Sequence, residues 1–178
     1  MSYVECLVLG LLYSGARYGH EIDKKMDQMQ IRLWTKTNRA TIYQSLKRIE
    51  KKGWVKTNIE KIGNMPERKI YELTKNGKGA LQTMVAKGLA SQEMVTFDYS
   101  IAIGWMEVLP KDIVLEQISK RKVFIKESIN QFPLNEANDK KNYIGRRANI
   151  KFLRSYYEME LDWLEWLTKE LMEEKNTK

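Results

Sequence analysis

A group of polar and basic side chains between positions 39 and 51 has the chemistry needed to contact double-stranded DNA. Glutamine and arginine form paired hydrogen bonds with base edges, threonine contacts the thymine methyl group, and lysine and tyrosine bind phosphates. The candidates are Arg39, Thr41, Tyr43, Gln44, Lys47, Arg48 and Lys51. The last four share one helical face, and the first three lie near its N-terminal end. The pattern indicates a DNA-reading surface, with an ordinary basic helix surface as the alternative.

These side chains need a helix to bring them to one side, and the apolar residues between them predict one. A spacing of four and then three positions turns these residues inward: Ile42, Leu46 and Ile49. Thr37 or Asn38 can accept the free amide hydrogens of the first turn, and Gly53 can end the last turn. We therefore expect a helix from about residue 39 to residue 52.

Helical spacing also predicts two shorter helices before this one. The first carries a buried stripe that stops at Ser14-Gly15 and consists of Val4, Leu7, Val8, Leu11 and Leu12. The second has charged and polar residues on one side and an apolar side formed by Tyr18, Ile22, Met26 and Met29. Together the three helices can enclose one small core.

Two strands with alternating side chains are predicted after the third helix, at residues 53–61 and 68–74. Gly63-Asn64 and Pro66 lie between them and suit a turn. This arrangement makes a hairpin with Arg68 and Lys69 at its tip. Three short helices followed by a basic hairpin indicate a winged helix-turn-helix. In that fold helix three enters the major groove, and the hairpin, or wing, lies along the backbone or the minor groove.

The charge is distributed unevenly along the chain. Residues 1–75 hold 15 basic and 8 acidic side chains, whereas the remaining residues hold 16 and 15. Nearly all of the net charge of +8 therefore lies in the first part. A basic domain beside a balanced one favours a polyanionic partner for the first and a different role for the second.

Three segments also resemble, in order and at the expected separations, successive blocks of the PadR-family transcriptional regulators. They are "LVLGLLYSGARYGHEI", "TIYQSLKRIEKKGWV" and "RKIYELTKNGKGAL", within roughly residues 4–82. The resemblance implies a homodimer that binds an inverted-repeat operator and usually represses transcription until a small effector lowers its affinity. It also implies that Tyr18 with Gly19, residues 41–43, and Arg68 with Lys69 face the DNA.

The sequence departs from the family pattern where the DNA would be read. Asn38-Arg39-Ala40 stands in place of the frequent Ser-Pro-Gly, and Gln44 stands in place of a proline. The wing has "GNMPERK" instead of a Gly-Pro-Pro-Arg-Lys stretch. The operator sequence and the shape of the wing therefore cannot be transferred from the family.

The second part of the chain is predicted to be helical. One helix follows the wing, a second spans about residues 111–131, and a long final helix spans about residues 140–174. The final helix carries more apolar surface than two helices readily cover, so we expect a second chain to pack against it. The residues assigned to dimerisation are Tyr156, Tyr157, Leu161, Trp163, Leu164 and Leu171.

The predicted architecture is mainly α with a small β-hairpin. Residues 1–92 form a winged helix-turn-helix DNA-binding domain, and residues 93–178 form a helical dimerisation domain that could also bind an effector. The length of this second part resembles the PadR group that includes regulators of phenolic-acid decarboxylation, which suggests a small aromatic effector. Several tryptophans could stack on such a ligand, although tryptophans at helical spacing usually belong to a core: Trp34, Trp105, Trp163 and Trp166.

An enzyme is not expected. Cys6 and His20 are each the single residue of their kind, which argues against a disulfide or a metal site, and no phosphate-binding glycine loop occurs. No cofactor is expected. No membrane partner is expected either, because the chain has no run of eighteen apolar residues and no typical signal peptide. We expect a cytoplasmic protein. The alternative function is that of a basic adaptor that binds protein or RNA without operator specificity.

Overall fold

The computed structural model describes residues 2–61, 67–133, 136 and 143–174. The chain divides into two compact units, Met1–Met94 and Val95–Lys178, called here the N-terminal and C-terminal units. The N-terminal unit contains helices and strands in the order α1 (Tyr3–Tyr13), α2 (Gly19–Gln28), a short 3-10 helix (Ile31–Leu33), α3 (Arg39–Lys51), β1 (Val55–Glu60), β2 (Arg68–Leu73) and α4 (Lys75–Leu89). This is the predicted winged helix-turn-helix.

The core of the N-terminal unit lies between α1, α2 and α3. Its fully buried side chains include the inward residues predicted for α3 and several from the other two helices: Val8, Leu9, Ile22, Met26, Ile42, Leu46 and Ile49. Burial of a leucine or isoleucine side chain contributes about 1.5–3 kcal/mol. Since the apolar faces of α1–α3 all point into this one core, their polar faces are left for other contacts.

Glycines end the first and third helices as the sequence predicts. Gly15 follows α1 with a φ of +94°, and Gly53 follows α3 with a φ of +68°. These are left-handed conformations, which a residue without a Cβ adopts at low cost. The chain therefore turns sharply after α3 and enters β1 at Val55.

The two strands pair antiparallel, with Val55 opposite Leu73 and Thr57 opposite Tyr71. Val55 belongs to the core of the N-terminal unit, and Tyr71 and Leu73 pack against it. Ile59, on the same face but nearer the tip, is 72% exposed. The outer edge of β2 is partly covered, because Tyr18 forms a β-bridge with Ile70 and the amide of Tyr71 donates to the carbonyl of Arg17 at 2.8 Å. The predicted turn residues, Gly63-Asn64 and Pro66, lie outside the described residues.

The C-terminal unit is helical and contains α5 (Asp98–Ile103), a 3-10 helix (Met106–Val108), α6 (Lys111–Asn130) and α7 (Ile144–Glu173). Its core joins α6 to α7 through Val114, Ile118, Ile125, Leu164 and Leu167. The sequence predicts α6 to within one residue, but it does not predict the short α5. Residues 137–142, where the long helix is predicted to start, lie outside the described residues.

No helix within the described ranges is long and apolar enough to cross a membrane. Within the same ranges, no group of His, Cys, Asp and Glu side chains is arranged to hold a metal ion.

Candidate nucleic-acid interface

The N-terminal end of α3 is closed by reciprocal hydrogen bonds between Asn38 and Thr41. The amide of Thr41 donates to Oδ1 of Asn38 at 2.9 Å, and the amide of Asn38 donates to Oγ1 of Thr41 at 3.1 Å. The Thr41 hydroxyl also donates to the Asn38 carbonyl at 2.8 Å. Asn38 rather than Thr37 is thus the cap. Because the Thr41 hydroxyl is used within the helix, its methyl group is the part left for a base.

The outer face of α3 carries exposed polar side chains along its whole length. Four of the predicted DNA contacts are exposed there, namely Gln44, Lys47, Arg48 and Lys51. Among the residues that the structure describes, Gln44, Lys47 and Lys51 have no hydrogen-bond or ion-pair partner. An unpaired glutamine followed along the helix by two unpaired lysines is available to base edges and phosphates. Their contact with DNA stays a prediction.

Tyr43 packs against the first residue of α2. A Cβ atom built on Gly19 would lie 2.9 Å from both Cε1 and Oη of Tyr43, so only glycine allows this approach. The guanidinium of Arg39 lies 5.8 Å from the centre of the Tyr43 ring, and its Nε lies 3.9 Å from Oδ2 of Asp23. Gly19 and Arg39 are therefore both neighbours of Tyr43 in the fold.

A carboxylate of α1 binds two cations, one in α3 and one in the residue that follows it. Glu5 is 3% exposed, and its Oε1 accepts from Nε of Arg48 at 3.2 Å and from Nζ of Lys52 at 2.9 Å. The other oxygen, Oε2, accepts from Nζ of Lys52 at 2.7 Å. Arg48 thus differs from Lys47 and Lys51, because an internal partner orients its side chain.

The second wing strand contacts α3 through Lys69. Its Nζ lies 2.7 Å from Oε1 of Glu50, which also accepts from the Thr57 hydroxyl at 2.9 Å. The hydrogen bond from Lys69 lowers the pKa of Glu50, and the same bond raises the pKa of Lys69. This ion pair joins the wing to the last turns of α3, so the two predicted DNA-binding elements are fixed to each other.

Tyr18 meets Arg68 and Glu60 towards the tip of the wing, where these two residues form the strand pair nearest the turn. The Tyr18 hydroxyl donates to the carboxylate of Glu60, and this hydrogen bond raises the pKa of Tyr18. The guanidinium of Arg68 lies 6.0 Å from the centre of the Tyr18 ring. Tyr18, the residue that precedes α2, is therefore in contact with both wing strands.

The sequence did not predict the carboxylates that pair with the candidate DNA contacts: Glu5, Asp23, Glu50 and Glu60. Of these four carboxylates, only Glu5 occupies a position at which the sequence itself indicates a partner. It lies three positions before Val8 and four before Leu9, both fully buried, so it occupies the apolar face of α1. A charged residue in such a position requires a partner.

The residues assigned to dimerisation are only partly open in the structure. Leu164 is fully buried in the core of the C-terminal unit, and four others pack against that core: Tyr157, Leu161, Trp163 and Leu171. Leu164 is therefore not available to a partner, because α6 of its own chain already covers it. Tyr156 is half-buried and stacks on Phe97 with ring centres 6.0 Å apart. The exposed apolar residues of α7 at seven-residue spacing are instead Phe152, Met159 and Trp166, called here the open stripe.

The tryptophans considered for an effector lie in different surroundings. Trp163 packs in the core, with its ring edge-on to Tyr99, whereas Trp34, Trp105 and Trp166 are exposed. A shallow cavity of about 430 Å³ beside Trp166 is lined by Met106, Trp166, Leu167, Glu170, Leu171, Glu173 and Glu174. Its three glutamates would repel an aromatic carboxylate, so this cavity does not suit a phenolic acid.

A winged helix-turn-helix with an exposed polar face on its third helix is typical of the class of DNA-binding regulators. Residues 8–94 match the model of the "Transcriptional regulator PadR-like family". The chain belongs to this family, which consists of transcriptional regulators and not of enzymes. The family named from three short sequence blocks is thereby confirmed, and membership speaks against the basic adaptor.

Known proteins similar to this chain carry the same family name. The "Negative transcriptional regulator PadR" of Bacillus subtilis (strain 168) is 24% identical over 125 residues, 68% of each chain. The crystal structure of Bacillus subtilis PadR in complex with operator DNA has a TM-score of 0.80 at 17% identity, covering 96% of this chain and 99% of that one. Its complex with p-coumaric acid has a TM-score of 0.75 at 17% identity, covering 96% of both. At such identities the structural likeness establishes the fold.

Proposed function

We propose that this regulator binds an inverted-repeat operator in double-stranded DNA as a homodimer and represses transcription until a small aromatic acid releases it. In this proposal α3 enters the major groove and the wing lies along the backbone or the minor groove. The observation that carries it is the outer face of α3, where Gln44, Lys47 and Lys51 are exposed and unpaired among the described residues.

The candidate contacts divide into two kinds. Gln44 and Arg48 suit base edges, because an amide and a guanidinium form paired hydrogen bonds there. The other predicted contacts suit phosphates, the sugar or a thymine methyl group: Tyr18, Arg39, Thr41, Tyr43, Lys47, Lys51, Arg68 and Lys69. Since phosphate contacts release counterions, affinity for any duplex should fall steeply with salt. Preference for the operator should depend instead on the base contacts of Gln44 and Arg48.

Dimerisation is supported by the open stripe on α7. Phe152, Met159 and Trp166 are each more than half exposed and stand seven residues apart, which aligns them along one side of a helix. An aligned apolar row of this kind is typical of a helix that packs against another. A symmetric dimer would present two α3 helices to half-sites about 34 Å apart, which is why an inverted repeat is the proposed operator.

Repression and release are supported by the relatives. The Bacillus subtilis relative is named a negative regulator, and a structure of PadR from that organism contains p-coumaric acid.

We place the effector in the C-terminal unit, because the apolar faces of α1–α3 are consumed by their own core. Such a ligand can release DNA only if it favours an arrangement of the dimer that does not fit the operator.

Footprinting on the promoters upstream of this gene and its neighbours tests the proposal. We expect protection of a symmetric sequence, and tighter binding to it than to a scrambled duplex or to single-stranded RNA at moderate salt. Lys47→Ala should weaken this binding. Lys126→Ala removes an exposed lysine of the C-terminal unit instead, and this control variant should bind normally. Equal affinity for operator, scrambled DNA and RNA would contradict operator recognition.

A further inference from the structure

Glu5 is a buried carboxylate whose side-chain partners are Arg48 of α3 and Lys52, the residue that follows α3. It is 3% exposed, and the nitrogens of Arg48 and Lys52 that bind it lie 43 and 47 positions further along the chain. Burial of a carboxylate is costly unless it is paired and hydrogen-bonded, and here both oxygens accept hydrogen bonds. A small apolar residue at this position of α1 would avoid that cost altogether. Stability is therefore a weak reason for a glutamate here.

The two cations lie at the boundary between core and solvent. The side chains of Arg48 and Lys52 are 48% and 44% exposed, so each has one end on Glu5 and the rest in water. Nζ of Lys52 also lies 4.5 Å from the centre of the Trp54 ring, which holds it beside the carboxylate. Loss of the Glu5 charge would leave two cations that water can solvate, so the fold should tolerate it.

The contact with Glu5 uses only one nitrogen group of Arg48. Nε donates to Oε1 of Glu5, and a guanidinium bound through Nε keeps its two terminal amino groups as further donors. A guanidinium that pairs with guanine needs two donors in a fixed plane. Gln44 lies one turn earlier on α3 and has no such support among the described residues. Arg48 is thus the candidate base contact whose orientation is set before DNA arrives.

We infer that Glu5 is a positioning residue for operator recognition, which holds the Arg48 guanidinium in the plane in which it meets a base pair. The inference rests on the proposed function and deepens it. Glu5 also offsets one positive charge next to α3, which weakens attraction to any phosphate backbone. This weakening is the same for the operator and for other DNA, so the preference for the operator depends on the orientation of Arg48.

The first test compares the dissociation constants of the full chain for the footprinted operator and for a scrambled duplex of equal length. Glu5→Gln should raise the ratio of the operator dissociation constant to that of the scrambled duplex by about tenfold, within the range for one base contact. Glu72→Gln is the matched control, since it makes the same charge change in the same unit at an exposed residue paired only with Arg17. It should leave the ratio unchanged. An equal loss of operator preference in both variants would show that net charge causes the effect, and would overturn the inference.

A double-mutant cycle separates positioning from an independent effect of Glu5. If Glu5 acts through Arg48, Glu5→Gln should cause no further loss of operator preference in a chain that already carries Arg48→Ala. Losses that multiply in the double variant would overturn the inference. Thermal unfolding of each variant confirms that the compared chains are folded.

Arg48→Lys tests the same contact from the exposed side, where folding is not at risk. A lysine keeps the charge but has neither Nε nor a planar pair of donors, so general affinity should hold while operator preference falls about as far as in Arg48→Ala. Full preference in Arg48→Lys would contradict the role given to Arg48. If the unmodified chain prefers its operator while Glu5→Gln and Arg48→Lys both keep that preference, only this inference fails. If the unmodified chain has no preference, the proposed function fails with it.

Discussion

Gly19 lies so close to Tyr43 that a single added carbon would collide with the ring. An alanine Cβ there would be 2.9 Å from both Cε1 and Oη of Tyr43. The start of α2 and the first turns of α3 are therefore packed together through one glycine and one tyrosine, both within the segments that resemble the family.

Gly19→Ala should weaken operator binding more than it destabilises the fold. The half-exposed Tyr43 ring can rotate away from the new Cβ, so we expect a loss of about 1 kcal/mol in unfolding free energy. Displacement of the ring should weaken operator binding by about tenfold. Gly79→Ala in α4 is the control, because no atom lies within 4 Å of its added Cβ. That substitution should stabilise the protein by up to about 1 kcal/mol and leave binding unchanged. Normal operator binding by Gly19→Ala would contradict the role of Tyr43.

Glu50→Gln should lower stability slightly and only within a defined pH range. The Lys69 ammonium lowers the pKa of Glu50, so the stability from this carboxylate is present above its unfolded pKa of about 4.3 and is lost as pH falls through the folded value. Glu50 raises the pKa of Lys69, so that contribution is present below about 10.4 and is lost as pH rises through the folded value.

Chemical denaturation at several pH values measures this effect. The pair is partly exposed, so the difference in unfolding free energy between the unmodified chain and Glu50→Gln should be at most about 1 kcal/mol at pH 7. It should disappear in acid, where both chains carry a neutral side chain at position 50. A difference that persists unchanged in acid would show that the ion pair with Lys69 is not its source.

Met159→Lys should disrupt the proposed homodimer. A charge in the middle of the open stripe would have to be buried without a partner if a second chain packed there. Met172→Lys makes the same exposed substitution on α7 away from the seven-residue spacing, and should remain dimeric. Light scattering after size-exclusion chromatography measures the mass. A dimer of unchanged stability in Met159→Lys would exclude the open stripe as the contact surface.

Local patterns were sufficient to predict α1–α3 and the wing. The inward residues Ile42, Leu46 and Ile49 and the stop at Gly53 depend on neighbours within a few positions, and each agrees with the structure. The short α5 was missed because its six residues span too few turns to establish a helical period.

Pairings between distant residues could not be predicted. The contact of Glu5 with Arg48 joins positions 43 apart, and no local spacing reports it. Leu164 was assigned to a partner chain because an apolar stripe does not reveal what covers it, and α6 of the same chain does. The sequence therefore identified the outer face of α3 but not the carboxylates that orient part of it.

The central claim is that α3 reads the operator, and the ratio of dissociation constants for operator and scrambled duplex measures it most directly. Gln44→Ala should raise the ratio of the operator dissociation constant to that of the scrambled duplex, a loss of about 1–3 kcal/mol of discrimination, because it removes a base contact. Lys47→Ala should weaken both complexes alike and reduce the salt slope by about one, because it removes a phosphate contact. The account therefore predicts that Gln44→Ala loses operator preference and that Lys47→Ala loses general affinity. Lys126→Ala should bind both duplexes as the unmodified chain does. Unchanged binding of both duplexes by Gln44→Ala and Lys47→Ala at moderate salt would show that α3 is not the reading helix.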